Sequence, residues 1–151
     1  MKSEIYAQFN LDLAALYNGE RDLIANMANF AALYFQRFQT HWVGFYRVDV
    51  SGNLILGPFQ GPVACTRIEI GKGVCGKSLF DKKTIIVDDV HQFSGHIACS
   101  ALSNSEIVVP LIIKNNVIAV LDIDSITYSN FDQVDAAALE NSMLILANSI
   151  L

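Results

Sequence analysis

Apolar residues recur at spacings of three and four from Glu4 to Leu16 and again from Arg21 to Phe38, with Asn18, Gly19 and Glu20 breaking the pattern between them. That period puts one apolar stripe on each segment, so two N-terminal helices are predicted. After Thr40 the pattern changes to that of β-structure. Trp42 to Val48 and Asn53 to Phe59 read as a hairpin joined across Asp49, Val50, Ser51 and Gly52. The stretch GPFQGPVAC follows, then a short strand from Thr66 to Ile70. Gly71 and Gly73 turn the chain into a short helix, Val74 to Phe80, which Asp81, Lys82 and Lys83 end before a strand at Thr84 to Val87. From Asp88 to Asn104 no clean period is present, and His91, Ser94, Gly95, His96, Cys99 and Ser100 gather there. A loop of that length inside a domain is where a site is expected. Two strongly apolar runs, Glu106 to Ile113 and Val117 to Ile123, flank Lys114, Asn115 and Asn116, a turn that tolerates positive φ, and form a central hairpin. Asp132 to Leu151 has helical periodicity, with Asn130 or Asp132 as N-cap. The predicted class is α+β: a central antiparallel sheet with the N-terminal helices and a C-terminal helix packed on it.

Composition narrows the function. With 151 residues, 52% hydrophobic and 17% charged, the chain is expected to form a single domain over residues 1–151, with enough apolar surface for a homodimer interface. A net charge of −5 and the lack of a basic run argue against nucleic acid as partner. Residues 1–10 carry no apolar stretch of leader length, and Asp12, Glu20, Arg21, Asp22 and Arg37 interrupt the apolar residues that follow, so no membrane association is expected. The expected compartment is the cytoplasm. There, three cysteines do not make a permanent disulfide framework, which leaves burial or transient redox work.

Cys65, Cys75 and Cys99 all lie beside glycines, in GPVAC, GVCG and GHIACS. Burial is the commoner fate of a lone cysteine, but glycine-rich turns offer backbone N–H groups that stabilise a thiolate or an anionic ligand. His91, His96 and Cys99 raise zinc as an alternative, yet a fourth ligand and a close cysteine pair are missing, so no metal and no cofactor is expected. No nucleophile elbow supports a serine hydrolase. The acidic residues are more informative. Asp122 and Asp124 are two apart on one strand and share a face, and Glu106 opens the partner strand. With Asn115 and Asn116 as the loop, Glu106 pairs near residue 125 and the three carboxylates converge at one end of the hairpin. Solvated strand ends are the plain alternative. Against an apolar sheet, however, such a cluster raises carboxyl pKa values and attracts an ammonium group.

The segments GFYRV, GPFQGPVACTRI, GKGVCGKS, DVHQFSGHIACS, SNSEIVVPL and VLDIDS together resemble the free methionine-(R)-sulfoxide reductase family, a catalytic branch of GAF domains, from about Trp42 to Phe131. The resemblance implies a GAF fold and an oxidoreductase that uses thiols to reduce free L-methionine-(R)-sulfoxide, an oxidative-stress product. It implies that Cys99 attacks the sulfoxide sulfur, that Cys65 resolves the sulfenic acid as an intramolecular disulfide, and that Cys75 is an auxiliary thiol, with the last two roles open to exchange. It further implies that Glu106, Asp122 and Asp124 hold the ammonium and protonate the sulfoxide oxygen, that Trp42 and Tyr46 enclose the methyl group, and that backbone N–H groups of Ile97, Ala98 and Cys99 receive the carboxylate. Thioredoxin or a similar dithiol would complete the cycle. Ser100 departs from the acidic residue common in the family after the nucleophile. The rival from another class is a non-catalytic GAF module that binds a small metabolite.

Overall fold

The computed structural model describes residues 1–97, 99 and 101–151. Its elements run α1 (Lys2–Leu16), α2 (Leu23–Phe38), β1 (Trp42–Val48), β2 (Leu54–Gln60), β3 (Arg67–Ile68), α3 (Gly73–Asp81), β4 (Ile85–Val87), a single 3-10 turn (Val90–Gln92), β5 (Ser105–Ile113), β6 (Asn116–Ser125) and α4 (Gln133–Ser149). The helix starts follow from capping chemistry. Asp22 accepts from the Ala25 N–H, so α2 begins at Leu23 and not at Arg21. Asp132, not Asn130, caps α4 by accepting from Val134 and Asp135, while the Asp135 carboxylate accepts from the Asp132 N–H in return.

The strands form one antiparallel sheet in the order β3-β2-β1-β6-β5-β4. Alternation along its central strands divides the core in two. Val43, Phe45, Ile107, Val109, Leu121 and Ile123 face α1, α2 and α4, where they meet Phe9, Leu13, Phe30, Leu139 and Met143. Residues such as Phe9, Phe30 and Leu139 are entirely buried, and each contributes roughly 1.5–3 kcal/mol of transfer free energy. The opposite face carries Trp42, Tyr46, Val108 and Val120, which pack with Val74, Cys75 and Leu79 of α3. α1 is tied to α4 through Asp135, which accepts from Tyr6 at 2.7 Å and from Lys2 at 2.6 Å.

The central hairpin differs from expectation in register. Its loop residues are Lys114 and Asn115, with φ of 50° and 66°, between the pair Ile113 and Asn116. A two-residue hairpin turn of this kind needs both central residues at positive φ, and Lys114 takes up that strain beside Asn115. An irregularity between Leu111 and Ile112 leaves Ile118 as an extra residue on β6, and beyond it Glu106 stands directly opposite Asp124. The convergence of the carboxylates therefore holds, with Glu106 paired one residue short of 125, while the loop is Lys114 and Asn115 in place of Asn115 and Asn116.

Candidate active site

The site is built on the sheet face that carries α3. Asp122 and Asp124 point to this face from β6, Glu106 lies beside them on β5, and β1 brings Trp42 opposite Asp124 and Gly44 opposite Asp122. Gly44 is required by close approach, since a Cβ there would overlap both Phe59 and the Trp42 ring. The Trp42 indole stacks on Phe59 at 5.2 Å and lies 6.0 Å from the Tyr46 ring. From above, the first turn of α3 lowers the Cys75 thiol onto Glu106 and Asp122, and ligand atoms of these three residues all lie within 4.8 Å of one another.

Two loops close the top. The segment before β3 carries Cys65, and the long loop before β5 carries Cys99. A disulfide joins them, with Cα atoms 5.5 Å apart. Both cysteines are half-buried, within reach of a reductant, whereas Cys75 is free and buried. The Cys65 loop is held by the aromatic residues of the floor: Trp42 Nε1 donates to the Pro62 carbonyl at 3.0 Å and Tyr46 donates to the Cys65 carbonyl at 2.8 Å. The Cys99 loop is pinned at its base by Asn104, which accepts from Val90, donates from its backbone to Ser125 and donates from its side chain to Ile126. Between floor and loops lies a cavity of about 50 Å³, several times the roughly 10–15 Å³ that one water needs.

Burial governs the electrostatics. It pushes the Asp122 carboxyl up to about 6, and it pushes Glu106 and Asp124 well above the usual carboxylate range, with the negative charge of Asp122 adding to the effect. Burial also raises the Cys75 thiol, and the negative field of Asp122, Glu106 and Asp124 raises it further, so Cys75 is a poor nucleophile at neutral pH. The orphan atom of this cluster is Asp122 Oδ1, which is buried and has no hydrogen-bond partner among the described residues. An acceptor in that condition costs on the order of 1–3 kcal/mol until a donor arrives, and a cationic donor suits a cluster of carboxyls best.

Comparison with known proteins agrees with this geometry. A GAF domain model matches residues 19–150. GAF domain-containing protein A of Dictyostelium discoideum is 48% identical over 147 residues, covering 97% of this chain and 93% of its own. The free methionine-R-sulfoxide reductase of Escherichia coli is 48% identical over 139 residues, covering 91% of this chain and 84% of that protein. The free methionine-R-sulfoxide reductase of Neisseria meningitidis, solved in complex with its substrate, superposes with a TM-score of 0.97 at 44% identity, over 99% of this chain and 90% of that one. The chain belongs to the free methionine-R-sulfoxide reductase family of GAF domains.

Of the family positions named from the sequence, Cys75, Cys99, Glu106, Asp122, Asp124, Trp42, Tyr46 and Ile97 line the one cavity, and Cys65 joins its rim through the disulfide. Ala98 and Ser100 lie outside the described residues. The Cys99 N–H donates to the Ile97 carbonyl at 3.1 Å and is thereby engaged. His96 lines the cavity, but His91 turns away to Asn104 at 3.1 Å and packs edge-on against Tyr128, so the histidine pair considered for zinc is not assembled. Sequence reasoning missed Lys72, Ser103 and the Pro62 to Ala64 segment, all of which line the cavity. Lys72 was legible in principle, because the GKG turn places it at the N-cap of α3, whereas Ser103 carries no signal in the sequence. Gly73, at φ 61°, lets Ile97 close over the turn, with its Cγ1 3.2 Å from where a Cβ would stand.

Proposed function

We propose that this chain reduces free L-methionine-(R)-sulfoxide to methionine by thiol chemistry. The observation that carries the reading is the Cys65–Cys99 disulfide closed over a cavity whose floor is three buried carboxyls, one with an unpartnered oxygen. In this reading the substrate ammonium donates to Asp122 Oδ1, and Trp42 and Tyr46 enclose the methyl group. The carboxylate is received by backbone N–H groups of the loop that leads to Cys99, helped by Lys72 and the N–H groups at the start of α3.

The chemistry follows from which groups hold protons. A sulfoxide oxygen leaves sulfur only when protonated, and Glu106 and Asp124, held in their acid forms by burial, supply that proton. The Cys99 thiolate attacks the sulfoxide sulfur, the S–O oxygen ends on Cys99 as a sulfenic acid, and methionine departs. The Cys65 thiol then attacks the Cys99 sulfur and expels water, which closes the disulfide. The balance is one sulfoxide and two thiols giving methionine, one disulfide and water. A thioredoxin-like dithiol in the cytoplasm reopens the half-buried disulfide by exchange. The disulfide is thus a catalytic intermediate, and Cys75 takes no direct part.

The test is consumption of each resolved epimer of free methionine sulfoxide with dithiothreitol as reductant. The R epimer should be converted to methionine and the S epimer left intact. Binding of the R epimer without conversion would overturn the proposal in favour of a metabolite-binding GAF module.

A further inference from the structure

The thiol that the reaction leaves idle is the starting point. Cys75 is buried in the first turn of α3, 3% exposed, and is held over Glu106 and Asp122, which are 5% and 7% exposed. One ligand atom from each of the three lies within 4.8 Å of the other two. Asp122, which lines the cavity, has a buried Oδ1 with no hydrogen-bond partner among the described residues. A thiol and two carboxyls, one of them with an orphan oxygen, form a donor set whose sulfur has no task in the reductase reading.

We infer that Cys75, Glu106 and Asp122 form a site for a borderline-soft divalent cation of the zinc class, and that the cation occupies the place of the substrate ammonium. A thiolate with two carboxylate oxygens is a three-ligand set with an open fourth position, which zinc and cobalt accept at about 2.0–2.3 Å after a small inward movement of the side chains. The sulfur ligand selects against magnesium and calcium, which prefer oxygen alone. The fourth position faces the cavity, where water completes the set when the Cys65–Cys99 disulfide is closed. Coordination releases the protons of Cys75 and Glu106 to solvent and leaves two unit charges of metal against three of ligand, which relieves the crowding of like charges on the floor. The donors differ from the histidine and cysteine set weighed from the sequence. Because Asp122 is the proposed ammonium partner and Glu106 a proposed proton donor, a bound cation excludes substrate. That last consequence rests on the reductase reading; the site does not.

The disulfide form of the full chain isolates Cys75 as its one free thiol. Cobalt(II) titrated into it should bind with one-to-one stoichiometry and produce a thiolate-to-cobalt charge-transfer band in the near ultraviolet, which zinc(II) bleaches by displacement. Cys75→Ser should lose the band. No band in the wild-type chain, or an undiminished band in Cys75→Ser, would overturn the site. If Cys75→Ser does not fold, Asp122→Asn serves in its place, and an unchanged cobalt affinity in that variant would overturn the site equally. Saturating methionine should bleach the wild-type band. If the reductase reading alone is wrong, the cobalt band persists unaltered while epimer-specific turnover and bleaching by methionine are both absent.

Discussion

Replacing Asp122 by Asn separates what this residue costs the fold from what it gives the site. Burial moves the carboxyl from its ordinary 3.8 to about 6. At about 1.4 kcal/mol per pH unit, that displacement removes about 3 kcal/mol of folding free energy from the empty protein at pH 7. The sign follows from proton binding: between these two values the folded state holds a proton that the unfolded chain has released. Stability is therefore fully present below about pH 4 and is lost as the pH rises through about 6. Asparagine keeps the shape and cannot ionise. Asp122→Asn should match the wild type at pH 4 and exceed it at pH 7, by up to roughly 6–12 °C in Tm at about 2–4 °C per kcal/mol. Scanning calorimetry of both disulfide-closed proteins from pH 4 to pH 8 measures this. Turnover of free sulfoxide should fall in the same variant, because truncating one member of a buried charged pair costs roughly 2–5 kcal/mol, or about 30-fold to several-thousand-fold. A variant less stable than the wild type by the same amount at both pH values would refute the reasoning, since Asp122 would then be a satisfied structural residue.

The other predictions address the loops and the substrate. Cys99→Ser should abolish turnover and leave the far-ultraviolet circular dichroism unchanged, whereas Cys65→Ser should complete one reduction and accumulate a sulfenic acid that a carbon nucleophile traps; mass spectrometry of the labelled peptide distinguishes them. Tyr46→Phe removes the 2.8 Å bond to the Cys65 carbonyl, and at about 1 kcal/mol for such a bond the rate of disulfide closure in a rapid-quench experiment should drop roughly fivefold. N-acetyl-methionine-(R)-sulfoxide lacks the ammonium, so its kcat/KM should fall about 30-fold or more below that of the free amino acid. Equal efficiency on the two compounds would remove the ammonium role from Asp122.

The elements were legible in the sequence because each rests on a local cause. The period of three and four in α1 and α2, the glycine turn before α3 and the apolar runs of β5 and β6 all fold as they read. Register was not legible to the last residue, because the choice of Lys114 and Asn115 as loop and the extra residue at Ile118 depend on how β6 fits between β1 and β5. The carboxylates were legible as a cluster from alternation alone, since residues two apart on a strand share a face. Their lid was not. The bonds from Trp42 to the Pro62 carbonyl and from Tyr46 to the Cys65 carbonyl join segments 20 and 19 residues apart. They give the two aromatic residues a task that no spacing announces, namely holding the loop that carries Cys65. Ser103 enters the cavity wall for the same reason: the fold brings it there, and nothing in its neighbours marks it.

The central claim is that Cys99 and Cys65 together deliver the two electrons that reduce the sulfoxide. It is tested most directly by a single turnover without external reductant. Fully reduced protein mixed with one equivalent of free methionine-(R)-sulfoxide should yield one equivalent of methionine, lose two free thiols, and give on peptide mapping a disulfide between Cys65 and Cys99 with Cys75 still free. Methionine formed while Cys65 and Cys99 stay reduced, or a disulfide that contains Cys75, would contradict the account.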